Sequence, residues 1–338
     1  MNAAIERLGQ KAARGHDALV AGVLVDGAST VYAWRRSGPV PDGDTRFEIG
    51  SNTKSFTGVP RADMDLRGEV HLADPVSTYL PERQLPRWNT RPPTLAELAT
   101  HRAALPNVPR GMNAWELAFA LGLRSRDPWA GIDPTAYHNL VRQTRPRKPP
   151  GQRFSYSSLG FGLLGDALAA RAEMPYEQLL ADRVCAPLGM HSTDTSVLGQ
   201  LPGRSRRGRT RPPLRDLMPA AGAIRSTAGD LLRFLGAALA PADAPLGPAF
   251  ARATESRERV GRRFPIGIGL GWMVLSRPPK PRMVWHNGGT WGFRSFAAVL
   301  PDQRCAVVVL SNTARGVDRL GFALAEIAAA AGGTHEAP

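Results

Sequence analysis

Ser51 and Lys54 stand three residues apart in the segment Phe47-Glu48-Ile49-Gly50-Ser51-Asn52-Thr53-Lys54-Ser55-Phe56-Thr57-Gly58. The segment reads as a short apolar strand, a glycine turn and the first turn of a helix. Residues i and i+3 share a helix face, so the hydroxyl and the amine can meet. A serine at a helix start also lies among unpaired backbone N–H groups, at the positive end of the helix dipole. The chemistry open to such a pair is attack of an activated alcohol on a carbonyl. The lysine stands out because Lys11, Lys54, Lys148 and Lys280 are the only lysines in a chain with 43 basic residues. An arginine stays protonated, whereas a desolvated lysine can release its proton and act as a base. An N-capping serine next to a surface lysine is the other reading of the same tetrapeptide.

Two more segments carry groups that could join this pair. Pro150-Gly151-Gln152-Arg153-Phe154-Ser155-Tyr156-Ser157-Ser158-Leu159-Gly160 places Tyr156 on a turn just before a helix. From there a phenol can point into a cleft and share a proton, or can simply pack. Trp285-His286-Asn287-Gly288-Gly289-Thr290-Trp291-Gly292-Phe293 ends one strand and precedes another. Its glycines let backbone pass close to a ligand and leave N–H groups free to donate, or they make a hairpin turn. His286 offers a polar group near a substrate, or is a satisfied structural histidine.

The elements that must position these groups are legible from pattern. The stretches 17–25 and 29–35 read as strands joined by the Asp26-Gly27 turn. The nucleophile helix is expected from Ser51 to about Arg67, with Pro60 as an internal kink or break. Thr94-Leu95-Ala96-Glu97 has capping-box spacing. Helices are expected near 114–122, over 159–171, over 176–184, from Ser226 to Leu239 and over 316–331. The stretch 70–81 reads as extended, and the Gly/Arg-rich 199–213 as a mobile loop. Short strands are expected over 269–275, 283–286, 293–300 and 306–311. Strands at both chain ends with helices between them imply one sheet built from the two termini.

Composition narrows the field. A chain of 338 residues, 43% apolar, is long enough for a large core. The formal charge is +14, and arginines cluster over 204–211, 142–148, 257–263 and 277–282. Such clusters can attract nucleic acid, nucleotides or an acidic partner. Each is interrupted by Pro, Gly or Glu, which also suits solvated loops. Cys185 and Cys305 read as buried free thiols rather than a disulfide framework. The seven histidines are scattered without metal-ligand spacing, so no metal and no cofactor are expected. The apolar run 18–25 is too short to span a bilayer, and residues 2–14 lack the pattern of a signal peptide. A cytoplasmic location with no membrane partner is the expectation that follows.

Taken in order, Ser-x-x-Lys, Tyr-x-x and His-x-Gly resemble the serine β-lactamase and penicillin-binding-protein superfamily. The branch most similar is class C-like, with family VIII esterases, D-aminopeptidases, D,D-carboxypeptidase-like proteins and some acyltransferases. The resemblance runs through 47–56, 68–76, 95–105, 150–167, 187–190, 222–234 and 286–296. It implies an α+β, transpeptidase-like fold: an antiparallel sheet flanked by helices, with a mainly helical insertion. Residues 1–60 and 240–338 would form the sheet domain and 61–239 the helical one, with the active site in the cleft between them. It implies Ser51 as acylated nucleophile, Lys54 and Tyr156 sharing the acid and base roles, and the N–H groups of Ser51 and Gly289 as oxyanion hole. Ser158, His286, Asn287, Gly288 and Trp291 would contact substrate. His286 stands where many relatives carry the lysine of Lys-Thr-Gly, as in esterase-like members, which lessens fixed positive charge facing a substrate carboxylate. Two departures stand out: Tyr-x-Asn becomes Tyr156-Ser157-Ser158, which weakens the usual recognition of β-lactams or peptides, and Pro60-Arg61 stands where relatives have an apolar run.

The expected function is therefore an acyl-enzyme hydrolase or acyltransferase acting on a small-molecule ester or amide, with an amine as one acceptor. Secondary-metabolite biosynthesis is one setting for such an enzyme. A β-lactamase or D,D-carboxypeptidase is the alternative within the family. A non-catalytic binder of an anionic ligand or nucleic acid is the alternative outside it, although no nucleic-acid motif accompanies the charge.

Overall fold

A computed structural model describes residues 1–120, 127–129, 131–146, 148–215, 217–239, 244–261 and 266–332. Arg147, Arg262 and Arg263 of the arginine clusters lie outside the described residues, as do 121–122 of one expected helix. So does the expected domain boundary at 240.

Helix α1 (Asn2–Ala13) leads into the hairpin β1 (Ala18–Val25) and β2 (Ala28–Arg35). The two-residue strand β3 (Phe47–Glu48) passes through a 3-10 turn, Gly50–Asn52, into α2 (Thr53–Leu66). The helical middle of the chain follows: α3 (Leu95–Ala99), α4 (Met112–Ala120), α5 (Pro134–Gln143), α6 (Ser158–Ala172) and α7 (Tyr176–Leu180). A short hairpin of β4 (Gly203–Arg204) and β5 (Thr210–Arg211) precedes α8 (Pro219–Gly222), β6 (Arg225–Ser226), α9 (Ala228–Leu239) and α10 (Gly247–Thr254). The chain closes with β7 (Glu258–Arg259), β8 (Ile266–Ile268), β9 (Met273–Arg277), β10 (Lys280–Gly289), β11 (Arg294–Leu300), β12 (Cys305–Ser311) and α11 (Asp318–Gly332).

Eight strands form one antiparallel sheet in the order β2-β1-β12-β11-β10-β9-β8-β7. β1 pairs with β12 in the register Leu19↔Ser311 to Val25↔Cys305, which closes the two chain ends onto each other. Both faces of this sheet are covered. Leu19, Ala21, Val23, Phe296, Ala298, Val307 and Val309 pack with α1 and α11 on one face. Val20, Leu24, Val299, Val308 and Leu310 face the larger core shared with α2, α6 and α9. A strand buried on both faces has no reason to alternate polar and apolar residues, so β12 reads as the unbroken Cys-Ala-Val-Val-Val-Leu.

Local signals account for several boundaries. The Thr94 hydroxyl accepts the Glu97 N–H at 3.2 Å, and the Glu97 carboxylate accepts the Thr94 N–H at 2.8 Å, completing the expected capping box of α3. Asp133 and Ser157 cap α5 and α6. α2 continues as one helix through Pro60, so the chain does not break there. The stretch 199–213 is not a plain loop, because β4 and β5 pair there as Gly203↔Arg211 and Arg204↔Thr210. No described helix is long and apolar enough to cross a membrane.

Candidate active site

The turn that carries Ser51 is built against strand β10. Gly50 has φ +52, a conformation that side chains other than glycine rarely adopt. A Cβ there would also come within 2.6 Å of the Gly289 backbone nitrogen. On the strand side, a Cβ on Gly288 would meet the Ile49 carbonyl oxygen at 1.9 Å. The two glycines thus let the nucleophile turn and β10 touch backbone to backbone. Asn52 locks the contact: its Nδ2 donates to Ser295 Oγ at 2.7 Å, and that hydroxyl donates to the Ile49 carbonyl at 2.6 Å.

Ser51 lies in the 3-10 turn ahead of α2, and Lys54 is the second residue of the helix. Lys54 is fully buried. Its Nζ sits 3.1 Å from Ser51 Oγ, 3.3 Å from Ser158 Oγ and 2.7 Å from the Ala221 carbonyl oxygen. It also lies 5.0 Å from the centre of the Tyr156 ring and 5.7 Å from that of Phe161. Three oxygens saturate an ammonium, which has three donors. The Ala221 oxygen can only accept. A neutral amine in this place would therefore take its one incoming proton from the hydroxyl of Ser51 or Ser158.

These side chains open onto a cavity of about 930 Å³. Ser51, Tyr156, Ser158, Asn287, Gly288, Gly289 and Trp291 all line it. Lys54 lies beneath its floor. His286 is set apart from this group: it is buried and does not line the cavity. Strand alternation turns it inward while its neighbour Asn287 is exposed. Its ring centre lies 6.3 Å from that of Tyr156, so it backs the tyrosine. Burial, then the Lys54 charge, lowers the His286 pKa to about 3. Its Nδ1 lies 2.5 Å from the Asn287 carbonyl, which places the proton on Nδ1. Nε2 is left without a protein hydrogen-bond partner.

Two residues not singled out in the sequence complete the floor. His101 has φ +57 and is buried, and its ring lies against that of Tyr156 at a tilt of 36°, centre to centre 4.4 Å. Its carbonyl accepts the Ser155 N–H at 2.7 Å and its Nδ1 accepts the Ser157 N–H at 3.1 Å. Both flanks of Tyr156 are therefore pinned by one residue. Burial, then Lys54, holds the His101 pKa well below the ordinary histidine value. Asn107 accepts the Ser158 N–H through Oδ1 at 3.2 Å and lines the cavity. That bond fixes the orientation of the amide and leaves Nδ2 with no protein partner among the described residues. Neither residue has a local sequence signal, since each acts on a segment about fifty positions away.

The second wall of the cavity is the β4–β5 hairpin. Ser205, Arg206, Arg207, Arg209 and Arg211 line the cavity from it. The hairpin is held to the sheet: the Arg204 N–H donates to the Asn312 carbonyl at 2.7 Å, and the Ala314 N–H donates to the Arg204 carbonyl at 2.8 Å. The Arg211 guanidinium lies 5.0 Å from the Phe119 ring, which meets Trp291 edge-on at 4.7 Å.

The family model described as Beta-lactamase matches residues 1–331. The D-alanyl-D-alanine-carboxypeptidase/endopeptidase AmpH of Escherichia coli (strain K12) is 29% identical over 312 residues, covering 85% of this chain and 77% of that protein. A Beta-lactamase of Yersinia enterocolitica is 25% identical over 306 residues, covering 80% of this chain and 74% of that one. The solved structure of the octameric penicillin-binding protein homologue from Pyrococcus abyssi aligns with a TM-score of 0.84 at 21% identity. It covers 96% of this chain and 77% of its own, a likeness of fold.

Proposed function

This chain belongs to the β-lactamase family of serine hydrolases, and on that premise we propose that it forms an acyl-enzyme at Ser51 from a small-molecule ester or amide. The observation that carries the reading is the buried Lys54 amine 3.1 Å from the Ser51 hydroxyl on the floor of an open cavity.

Ser51 Oγ attacks the substrate carbonyl carbon as its proton passes to the Lys54 amine, with Tyr156 beside it as the second proton carrier. The carbonyl oxygen becomes an oxyanion and takes hydrogen bonds from the N–H groups of Ser51 and Gly289. Collapse expels the alcohol or amine, which leaves with a proton from the Lys54–Tyr156 pair. Water, or an amine acceptor, then attacks the ester carbonyl on Ser51 by the same steps in reverse order.

A labelled fluorophosphonate tests this directly. One equivalent should attach to Ser51, and Ser51→Ala should lose the label. Attachment at another residue, with Ser51→Ala labelled as well as the parent, refutes the assignment.

The names of the relatives favour a second reading, D,D-carboxypeptidase or β-lactamase activity. Ser158 and His286 stand where the family's peptide- and β-lactam-recognising Asn and Lys would be, which argues for an ester or simple amide instead. A chromogenic cephalosporin separates the two: rapid turnover would move the assignment to the second reading.

A further inference from the structure

Ser51, Lys54 and Ser158 on the cavity floor are bonded to one another, but the guanidiniums of the hairpin wall are not matched to carboxylates among the described residues. Arg206, Arg207 and Arg209 are exposed to the cavity, and among the described residues none of them is paired with a carboxylate. Arg211 adds a fourth guanidinium, whose buried Nε has no hydrogen-bond partner, and Arg294 a fifth at the base. Arg294 donates to the carbonyls of Thr290 and Phe293 at 2.7 and 2.6 Å, and the charge of Asp318 partly offsets its own. Burial, then Arg206, holds its pKa below the usual guanidinium value.

Among the described residues, two acids line the same cavity, Glu116 and Asp318, and both are engaged. Glu116 accepts the Trp129 indole N–H at 2.9 Å, and burial raises its pKa. Asp318 accepts the Asn287 amide at 2.6 Å.

The turn that presents the arginines is itself closed. The Ser205 N–H donates to the Arg209 carbonyl at 2.7 Å, the Gly208 N–H to the Ser205 carbonyl at 2.9 Å, and the Arg209 N–H to Ser205 Oγ at 3.1 Å. At its base, a Cβ on Gly203 would meet Phe293 at 2.7 Å, so hairpin and sheet are packed backbone to side chain. Like charges gathered on a fixed turn around one cavity repel unless an anion enters. Guanidinium forks suit planar or tetrahedral oxyanions, which they bind through paired N–H donors.

We propose that the arginine hairpin is a specificity element, and that the substrate acylating Ser51 bears a carboxylate or phosphate on the part remote from the reacting carbonyl. The inference rests on the acyl-enzyme reading of Ser51 and names the substrate class for it. Trp291, backed by buried Phe119, supplies the apolar wall between the two ends. The oxyanion sits at the hairpin while the ester or amide lies over Ser51.

The test compares three esters: neutral 4-nitrophenyl butyrate, 4-nitrophenyl hydrogen glutarate with its charge on the acyl side, and 3-carboxy-4-nitrophenyl butyrate with its charge on the leaving group. At low salt kcat/KM should favour one of the charged esters over the neutral one by about 10-fold or more, as several partly exposed charge pairs allow. That ratio should shrink as ionic strength rises from about 0.02 to 0.2 M, because screening shortens the reach of the arginines. Arg206→Glu/Arg207→Glu/Arg209→Glu should cut the ratio by roughly 10–30-fold, and the triple Lys variant should keep most of it.

Glutarate and pyrophosphate as competitors of the neutral ester distinguish a carboxylate from a phosphoryl source, by which inhibits at the lower concentration. Inhibition by neither, a neutral ester preferred over both charged ones, or a ratio indifferent to salt and to charge reversal would overturn the proposal. Protection by an oligonucleotide but by neither small anion would do the same. Should the reversed variant misfold, the salt dependence of the unaltered protein still decides. Labelling of Ser51 by a neutral fluorophosphonate is read separately, so failure of charge selectivity is not confused with absence of the acyl-enzyme.

Discussion

The floor and the hairpin wall of one cavity treat their polar groups in opposite ways. On the floor, Lys54 meets three oxygens, the Ser157 hydroxyl donates to the Pro106 carbonyl and accepts the Gly160 N–H, and Asn52 and Ser295 are bonded in series. On the wall, three exposed arginines have no carboxylate partner among the described residues. Where buried polar groups are matched internally, as Lys54, Ser157 and Asn52 Nδ2 are, the matching fixes their geometry. Exposed guanidiniums stay hydrated at little penalty and remain free for a ligand. A site arranged in this way separates chemistry from selection. Changes on the floor should alter turnover of every substrate, whereas changes on the wall should alter which substrate is preferred.

The largest expected effect is at Lys54. Lys54→Met keeps the length and apolar stem but removes the proton acceptor, so acylation should slow by about 10³–10⁴-fold, the upper range for a general base. Thermal stability should fall by no more than about 1–3 kcal/mol, because the apolar stem is kept and only the bonds of Nζ, that to the Ala221 carbonyl foremost, are lost. Stopped-flow acylation and a melting curve on the same sample check both halves. A loss of activity tracking a larger loss of stability would mean that the lysine is structural.

Next in size is the contact between turn and strand. A Cβ on Gly288 would lie 1.9 Å from the Ile49 carbonyl oxygen and 2.4 Å from Ser295 Oγ. Gly288→Ala must therefore push the Ser51 turn off β10. A displacement near 1 Å at reacting atoms lowers turnover by about 100-fold. Charged and neutral esters should lose equally, since the wall is untouched. Unequal losses would break the division between floor and wall.

His101→Ala should come third, with kcat lowered by about 10–100-fold, the range seen when supporting partners of a reactive group are lost. It removes the acceptor of the Ser157 N–H and the ring that lies against Tyr156. KM for the charged ester should change little, and His101→Asn, which keeps an acceptor, should restore part of the rate. A change confined to KM would place His101 with the wall instead.

The sheet and the reactive pair were legible in the sequence for physical reasons. The Asp26-Gly27 turn between apolar runs marks β1 and β2, and the Ser-x-x-Lys spacing survives whether the turn is 3-10 or α. The family resemblance stated from the ordered motifs agrees with the family match over residues 1–331. What stayed hidden was long-range. The β4–β5 hairpin read as a loop because two-residue strands have no period, and because it is anchored on Asn312 and Ala314, about a hundred positions away. His101 was invisible because its role depends on a left-handed backbone and a ring contact with Tyr156. His286 was expected to face substrate, and only the register of β10 shows it turned inward behind the tyrosine.

The smallest predicted effect concerns pH and uses the floor's two inward histidines. For His286 the folded pKa of about 3 lies below the ordinary value of 6.5. A group depressed in this way binds its proton more weakly in the folded state than in the unfolded one. Its stabilising contribution is complete above about pH 6.5 and is lost as pH falls toward 3. Between pH 7 and pH 6 the loss is only about 0.7 kcal/mol for His286, and His101, shifted in the same direction, acts with the same sign. His286→Asn should flatten this slope in urea titrations taken from pH 7.5 to 5.5. Arginines do not titrate in that range, so the preference for a charged ester should stay level while stability declines. If the preference fell in step with stability, histidine charge would be feeding into the wall, and floor and wall would have to be treated as one electrostatic unit.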